Sequence, residues 1–133
     1  YGFICAVSDL VSRQRAGKAF MTLEKGERVL KPAKALGDAS AAVSEKGRLL
    51  IFGREEMKQQ AGGRGVVIMG LDEGEALVAA IVTLAQGVTV SGSGRGGKPK
   101  DLRIAEKDLG KYRLHRARKG CLLPVKMKPA FIL

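Results

Sequence analysis

The segment GKAFMTLEKGE at residues 17–27 aligns without gaps on GVVIMGLDEGE at residues 65–75, an offset of 48. Each copy is a short apolar run closed by an acidic turn containing glycine, the pattern of a strand entering a tight turn. A second match lies upstream in each copy, where GFICAV at 2–7 corresponds to GRLLIF at 47–52. A polar, basic loop separates the two apolar runs of each unit. A looser third copy runs from Val88-Thr89-Val90 through Asp101-Leu102-Arg103-Ile104 to Gly120-Cys121-Leu122-Leu123. Repetition of this kind points to small supersecondary units that bury their faces on one another. The repeats divide a single domain at about residues 1–46, 47–86 and 87–133.

Turn signals at strand-length spacing, together with 18 glycines and almost no capped helical period, predict an all-β array of four-stranded units. Phe20, Ile68 and Leu122 are then equivalent core positions of successive units. Residues 9–14, 55–60 and 106–110 suit single helical turns in the loops. The run from Glu75 to Leu84 is rich in Ala and Leu, and propensity alone allows a helix there. Its Val and Ile fall in the repeat register, opposite Arg28-Val29-Leu30 of the first copy, which favours a strand.

The chain of 133 residues carries 24 Lys and Arg against 13 Asp and Glu, a net charge of +11, and such a field marks a polyanion partner. The charge is uneven: residues 95–133 hold 12 basic and 3 acidic side chains. Cys5 and Cys121 stand far apart with no CxxC pattern, so neither a zinc site nor a disulfide framework is indicated, and they read as reduced, structural thiols. No run approaches the ~20 apolar residues of a membrane span. These features suit a cytoplasmic protein. The chain starts in the middle of an apolar pattern without an initiator Met, as expected of a piece of a longer protein.

Gly92-Ser93-Gly94-Arg95-Gly96-Gly97 satisfies GxGxxG after a strand-like run, but a dinucleotide site needs a helix next, and Lys98-Pro99-Lys100-Asp101 leads into another apolar segment. The same residues read GxxxxGK, yet Pro99 stands where a P-loop requires a magnesium-binding hydroxyl. A basic hairpin tip whose Arg95, Lys98 and Lys100 lie against phosphates is the better reading. His115, the sole histidine, has no nearby catalytic partner, and no nucleophile, base and metal constellation can be assembled. The segment from Lys111 to Lys119 suits a phosphate-contacting edge or loop. Aromatic residues are few and tryptophan is absent, which speaks against single-strand binding by base stacking and leaves duplex DNA gripped by its backbone.

Tyr1-Gly2-Phe3-Ile4-Cys5, then Asp9-Leu10-Val11 and Arg13-Gln14-Arg15-Ala16-Gly17-Lys18-Ala19, closely resemble the C-terminal domain of the A subunit of bacterial topoisomerase IV. Gly47-Arg48-Leu49-Leu50-Ile51-Phe52 and Gly62-Gly63-Arg64-Gly65-Val66 resemble the next blade of that domain. The resemblance covers most of the chain, is strongest through residue 75, and extends to gyrase A. It implies a β-pinwheel, propeller-like, with strands exchanged between blades and a basic rim around which DNA bends. About three blades are expected here, forming part of a ring. The implied rim contacts are Arg13, Arg15 and Lys18 in the first blade, Lys46, Arg48, Arg54 and Arg64 in the second, and Arg113, Arg116, Arg118 and Lys119 in the third. Nothing in the chain matches the glutamine-arginine-glycine box with which gyrase wraps DNA, and this favours topoisomerase IV, although a gyrase fragment lacking its first blade would look the same.

The resemblance implies a DNA-binding and DNA-bending module that presents duplex segments for decatenation and relaxation during chromosome segregation. It catalyses nothing itself and holds no cofactor. The attacking tyrosine, the ATP and the magnesium would belong elsewhere in the holoenzyme, in the B subunit (ParE) or in the remainder of the parent chain. Arg103, inside an expected strand, should matter less for DNA than the loop cations. Two other classes stand beside this one: a blade module that docks on protein and binds DNA weakly, and a nucleotide-dependent enzyme resting only on the 92–98 loop.

Overall fold

A computed structural model describes residues 1–83 and 86–132. Its strands are β1 (Ala39–Ser44), β2 (Arg48–Gly53), β3 (Leu77–Thr83), β4 (Gly87–Ser93), β5 (Pro99–Ala105), β6 (Cys121–Leu122) and β7 (Lys128–Ile132). They form a four-stranded sheet in the order β3-β1-β2-β6 and a three-stranded sheet in the order β5-β4-β7, and every pairing is antiparallel. The fold is all-β. The sheet also joins segments far apart in the chain: β6 pairs with Arg48 and Leu49 of β2.

The β1–β2 hairpin is the centre of the molecule, and the two-residue side-chain period of a strand sends alternate residues to opposite faces. On one face Ala41, Val43, Leu49 and Ile51 join Val88, Val90, Ile104, Leu109 and Tyr112. On the other, Ala42, Leu50 and Phe52 pack with Ile68 and Met69. Burial on both faces explains why β2 reads as an unbroken apolar run. The small residues of β1 are buried at every position.

The Ala- and Leu-rich run is a strand. β3 pairs with β1 from Ala39 opposite Thr83 to Ser44 opposite Leu77, and this ladder overrides the local helical preference. Leu84, the last residue of the expected strand, lies outside the described residues. Short 3-10 turns at Val7–Leu10, Arg54–Glu56 and Glu106–Tyr112 lie at or near the three expected helical turns.

The first copy departs from expectation. Its runs at 2–7 and 17–23 form single bridges, Gly2 to Val66, Ile4 to Gln59 and Met21 to Gly63, where strands were expected. A ladder needs a partner running alongside for several residues, and the facing segment turns through Gly62, Gly63 and Gly65. Phe3 and Phe20 close the gap between the two runs, with ring centroids 5.5 Å apart. Arg28-Val29-Leu30 lies outside any strand. Leu122 is also not the core equivalent of Ile68: it is 63% exposed, and its neighbour Leu123 is buried. A shift of one residue along a strand exchanges its faces, so an alignment correct to within one position still reverses inside and outside.

Residues 113–120 form a strap across the second copy. The Leu114 N–H donates to the Ile51 carbonyl at 2.9 Å, the Ala117 N–H to the Ile68 carbonyl at 2.9 Å, and the Gly70 N–H to the Arg118 carbonyl at 2.8 Å. The strap ends at Gly120, whose φ of +78° and contact with the Leu49 carbonyl exclude a side chain.

Candidate nucleic-acid interface

The two acidic turns of the repeat adopt one geometry. In the first, the Glu24 N–H donates to the Glu27 carboxylate at 2.9 Å, and the Glu27 N–H to the Glu24 carbonyl at 3.1 Å. In the second, 48 residues later, the Asp72 N–H donates to Glu75 at 2.9 Å, and the Glu75 N–H to the Asp72 carbonyl at 3.0 Å. Each turn then captures an arginine. Arg64 makes two parallel 2.9 Å bonds to Glu27 and stacks over the Tyr1 ring at 3.9 Å. Arg48 lies 3.4 Å from Asp72 and 3.9 Å from Glu75. Lys119, from the strap, reaches Asp72 at 2.6 Å.

These pairings set the charge of the acids. The Arg64 fork holds the Glu27 carboxyl at about 2, down from 4.5, and Glu27 in turn raises the Arg64 guanidinium further into its charged form. The Lys119 ammonium beside Asp72 pulls that carboxyl below its ordinary range. Glu75 has a side chain only 1% exposed, and burial opposes its ionisation. The Asp72 N–H, the Ser44 hydroxyl at 2.6 Å and Arg48 together outweigh that burial and keep Glu75 acidic.

Arg116 is also turned inward. Its guanidinium donates to the Val67 carbonyl at 2.8 Å, and its backbone N–H meets Glu56 at 3.1 Å, while exposed His115 stands 3.4 Å from the same carboxylate. Four candidate rim residues, Arg48, Arg64, Arg116 and Lys119, are therefore engaged by the protein itself.

The remaining candidates, Arg13, Arg15, Lys18, Lys46, Arg54, Arg95, Lys98, Lys100, Arg113 and Arg118, make no ion pair among the described residues. Arg13, Arg15 and Lys18 occupy the loop after the first 3-10 turn, Lys46 the β1–β2 turn, and Arg54 the 3-10 turn after β2. Arg113 and Arg118 sit exposed on the strap. Arg95 and Lys98 form the β4–β5 tip, with Lys100 on β5 opposite Gly92. That tip is a hairpin closed by the Gly94 N–H to the Lys98 carbonyl at 2.7 Å. It passes through the short 3-10 turn Arg95–Gly97 straight into β5, where a dinucleotide fingerprint or P-loop would open an α-helix. Among the described residues no three His, Cys, Asp or Glu side chains group to hold a metal, and no helix is long and apolar enough to cross a membrane.

Sequence reasoning missed the acids that neutralise part of the basic surface. The signal was present in the repeat itself, since Glu24 and Glu27 align on Asp72 and Glu75. Their arginine partners do not share that offset, so the pairing could not be read from it.

The DNA topoisomerase 4 A subunit of Haemophilus influenzae is 31% identical over 132 residues, matching 93% of this chain, and that of Neisseria gonorrhoeae is 32% identical over 132 residues, matching 94%. The chain spans 17% of the length of each of these relatives. The solved structure of the E. coli ParC C-terminal domain superposes with a TM-score of 0.82 at 26% identity, over all of this chain and 56% of that one. A family model described as DNA gyrase C-terminal domain, beta-propeller, matches residues 1–34 and 42–83. These residues are more than half of the chain, which belongs to the DNA gyrase C-terminal β-propeller domain family.

Proposed function

We propose that the chain is the DNA-binding and DNA-bending C-terminal module of a topoisomerase IV A subunit. It holds duplex segments by their phosphates and presents them to a remote cleavage core for decatenation and relaxation. The observation that carries this reading is the set of exposed cations without carboxylate partners on successive loops, turns and tips of an all-β body. Loops of this kind reach phosphates, whereas the described residues offer no recognition helix to read a major groove. The likeness to topoisomerase 4 A subunits supports the same assignment. The nucleophilic tyrosine, ATP hydrolysis, magnesium and the B subunit would belong to the rest of a bacterial, cytoplasmic, nucleoid-associated holoenzyme. The three-unit division near residues 46 and 86 is part of the proposal.

A gel shift on supercoiled plasmid tests it. The chain should retard plasmid without relaxing it, and absence of retardation would remove the reading. A second reading, a module that docks on protein, is favoured by exposed Val7 and Leu36, which are 81% and 78% accessible. Under that reading plasmid mobility stays unchanged.

A further inference from the structure

We propose that the cleft between Lys34 and Arg103 takes one backbone phosphate of the bound duplex. This deepens the DNA-binding reading and rests on it. The cleft has a volume of about 430 Å³, and its walls include Gly37, Val82, Gln86 and Gly87 between the two cations. No carboxylate lines it among the described residues. Another cleft, by contrast, is bordered by Asp38 and Glu55.

Both cations are brought there by the backbone. Ala35 bridges in parallel to Val82 of β3, which fixes the neighbouring Lys34 at the sheet margin. Arg103 leaves β5 opposite Thr89, and its guanidinium donates to the Gln86 carbonyl at 3.4 Å. Gly87, at φ +124°, provides the space this requires: a Cβ there would meet the Arg103 guanidinium at 2.8 Å. Neither Lys34 nor Arg103 has an acidic partner among the described residues. Two unneutralised cations over a carboxylate-free floor attract a phosphodiester, and a planar guanidinium adds directional donors. Arg103 is thus a contact residue, although its place within a strand first suggested a minor role.

The test uses the full 133-residue chain and a labelled duplex, with affinity measured by anisotropy over a range of KCl concentrations. Lys34→Ala, Arg103→Ala and the double variant are compared with Lys34→Arg/Arg103→Lys, and circular dichroism reports folding. A shared phosphate predicts that the double variant flattens the plot of log K against log salt by about 0.9, the loss of one contact. Each single variant should take most of that change, and the charge-conserving pair should keep the parental slope. An unchanged slope in the double variant, or single effects that simply add, would overturn the cleft while leaving DNA binding intact. No binding by the parent would remove both. Should the double variant fail to fold, Lys34→Ala alone decides, since Lys34 lies exposed outside any strand.

Discussion

Glu27 and Glu75 occupy the same place in two copies of one turn, and each does two jobs, bonding the backbone of its own turn and holding an arginine. Their folded pKa values are depressed, so the stability they supply is complete above the ordinary carboxylate value and is lost as the pH falls. For Glu27 that window runs from 4.5 down to about 2. Urea midpoints taken from pH 7 to pH 2 should fall through this range, and Glu27→Gln should make the fall shallower; an identical acid profile in the variant would contradict the pairing. The core can be tested as directly. Ile51→Ala, at a position 2% exposed, should cost about 2 to 5 kcal/mol through lost burial and the cavity left behind, whereas Leu122→Ala should change stability by no more than about 0.5 kcal/mol. Equal losses in chemical denaturation would place Leu122 in the core after all. The sequence could not distinguish Leu122 from Leu123, because the alternation that decides it depends on which residue of β6 stands opposite Arg48.

The strap at 113–120 shows where charge-run reasoning stops. Its composition is strongly basic, and nothing in the sequence separates a residue that faces solvent from one that returns to the sheet. Arg116 returns, to the Val67 carbonyl and beside Glu56, while Arg113 and Arg118 stay out. Arg116→Ala should therefore destabilise the fold by about 1 to 3 kcal/mol, the cost of leaving the part-buried Val67 carbonyl without its donor, with little change in the salt dependence of DNA binding. Arg113→Ala/Arg118→Ala should do the reverse, leaving the urea midpoint in place and flattening the salt slope by about 2. If Arg116→Ala instead behaves like the other two, the strap is not clamped as described. Some elements with a long antiparallel partner were legible in advance, but β1, which pairs with both β2 and β3, was not, because its small Ala and Ser residues make no apolar run. β2 announced itself by its apolar run and β3 by its register, and the β4–β5 hairpin by the glycines at its tip. The runs at 2–7 and 17–23 read as strands for the same reasons, but they meet their neighbours at single bridges, and pairing length between distant segments is not written in either segment alone.

At the scale of the molecule, two sheets packed about the β1–β2 hairpin leave the loops and tips to carry the excess positive charge, and the repeat's own acids neutralise part of it. The net +11 thus overstates what is available to a partner, while its distribution was visible from the start in the basic third copy. The exposed, unpaired cations lie on loops, turns and tips spread along the chain, which suits a duplex followed along its backbone more than one read at a single site. Counterion release measures this directly. Affinity for duplex DNA determined between low and moderate salt should fall with a slope of about −5 in log K against log salt, as for roughly six phosphate contacts, and should vary little between unrelated sequences. Binding indifferent to salt, or confined to one sequence, would contradict a backbone grip by these cations.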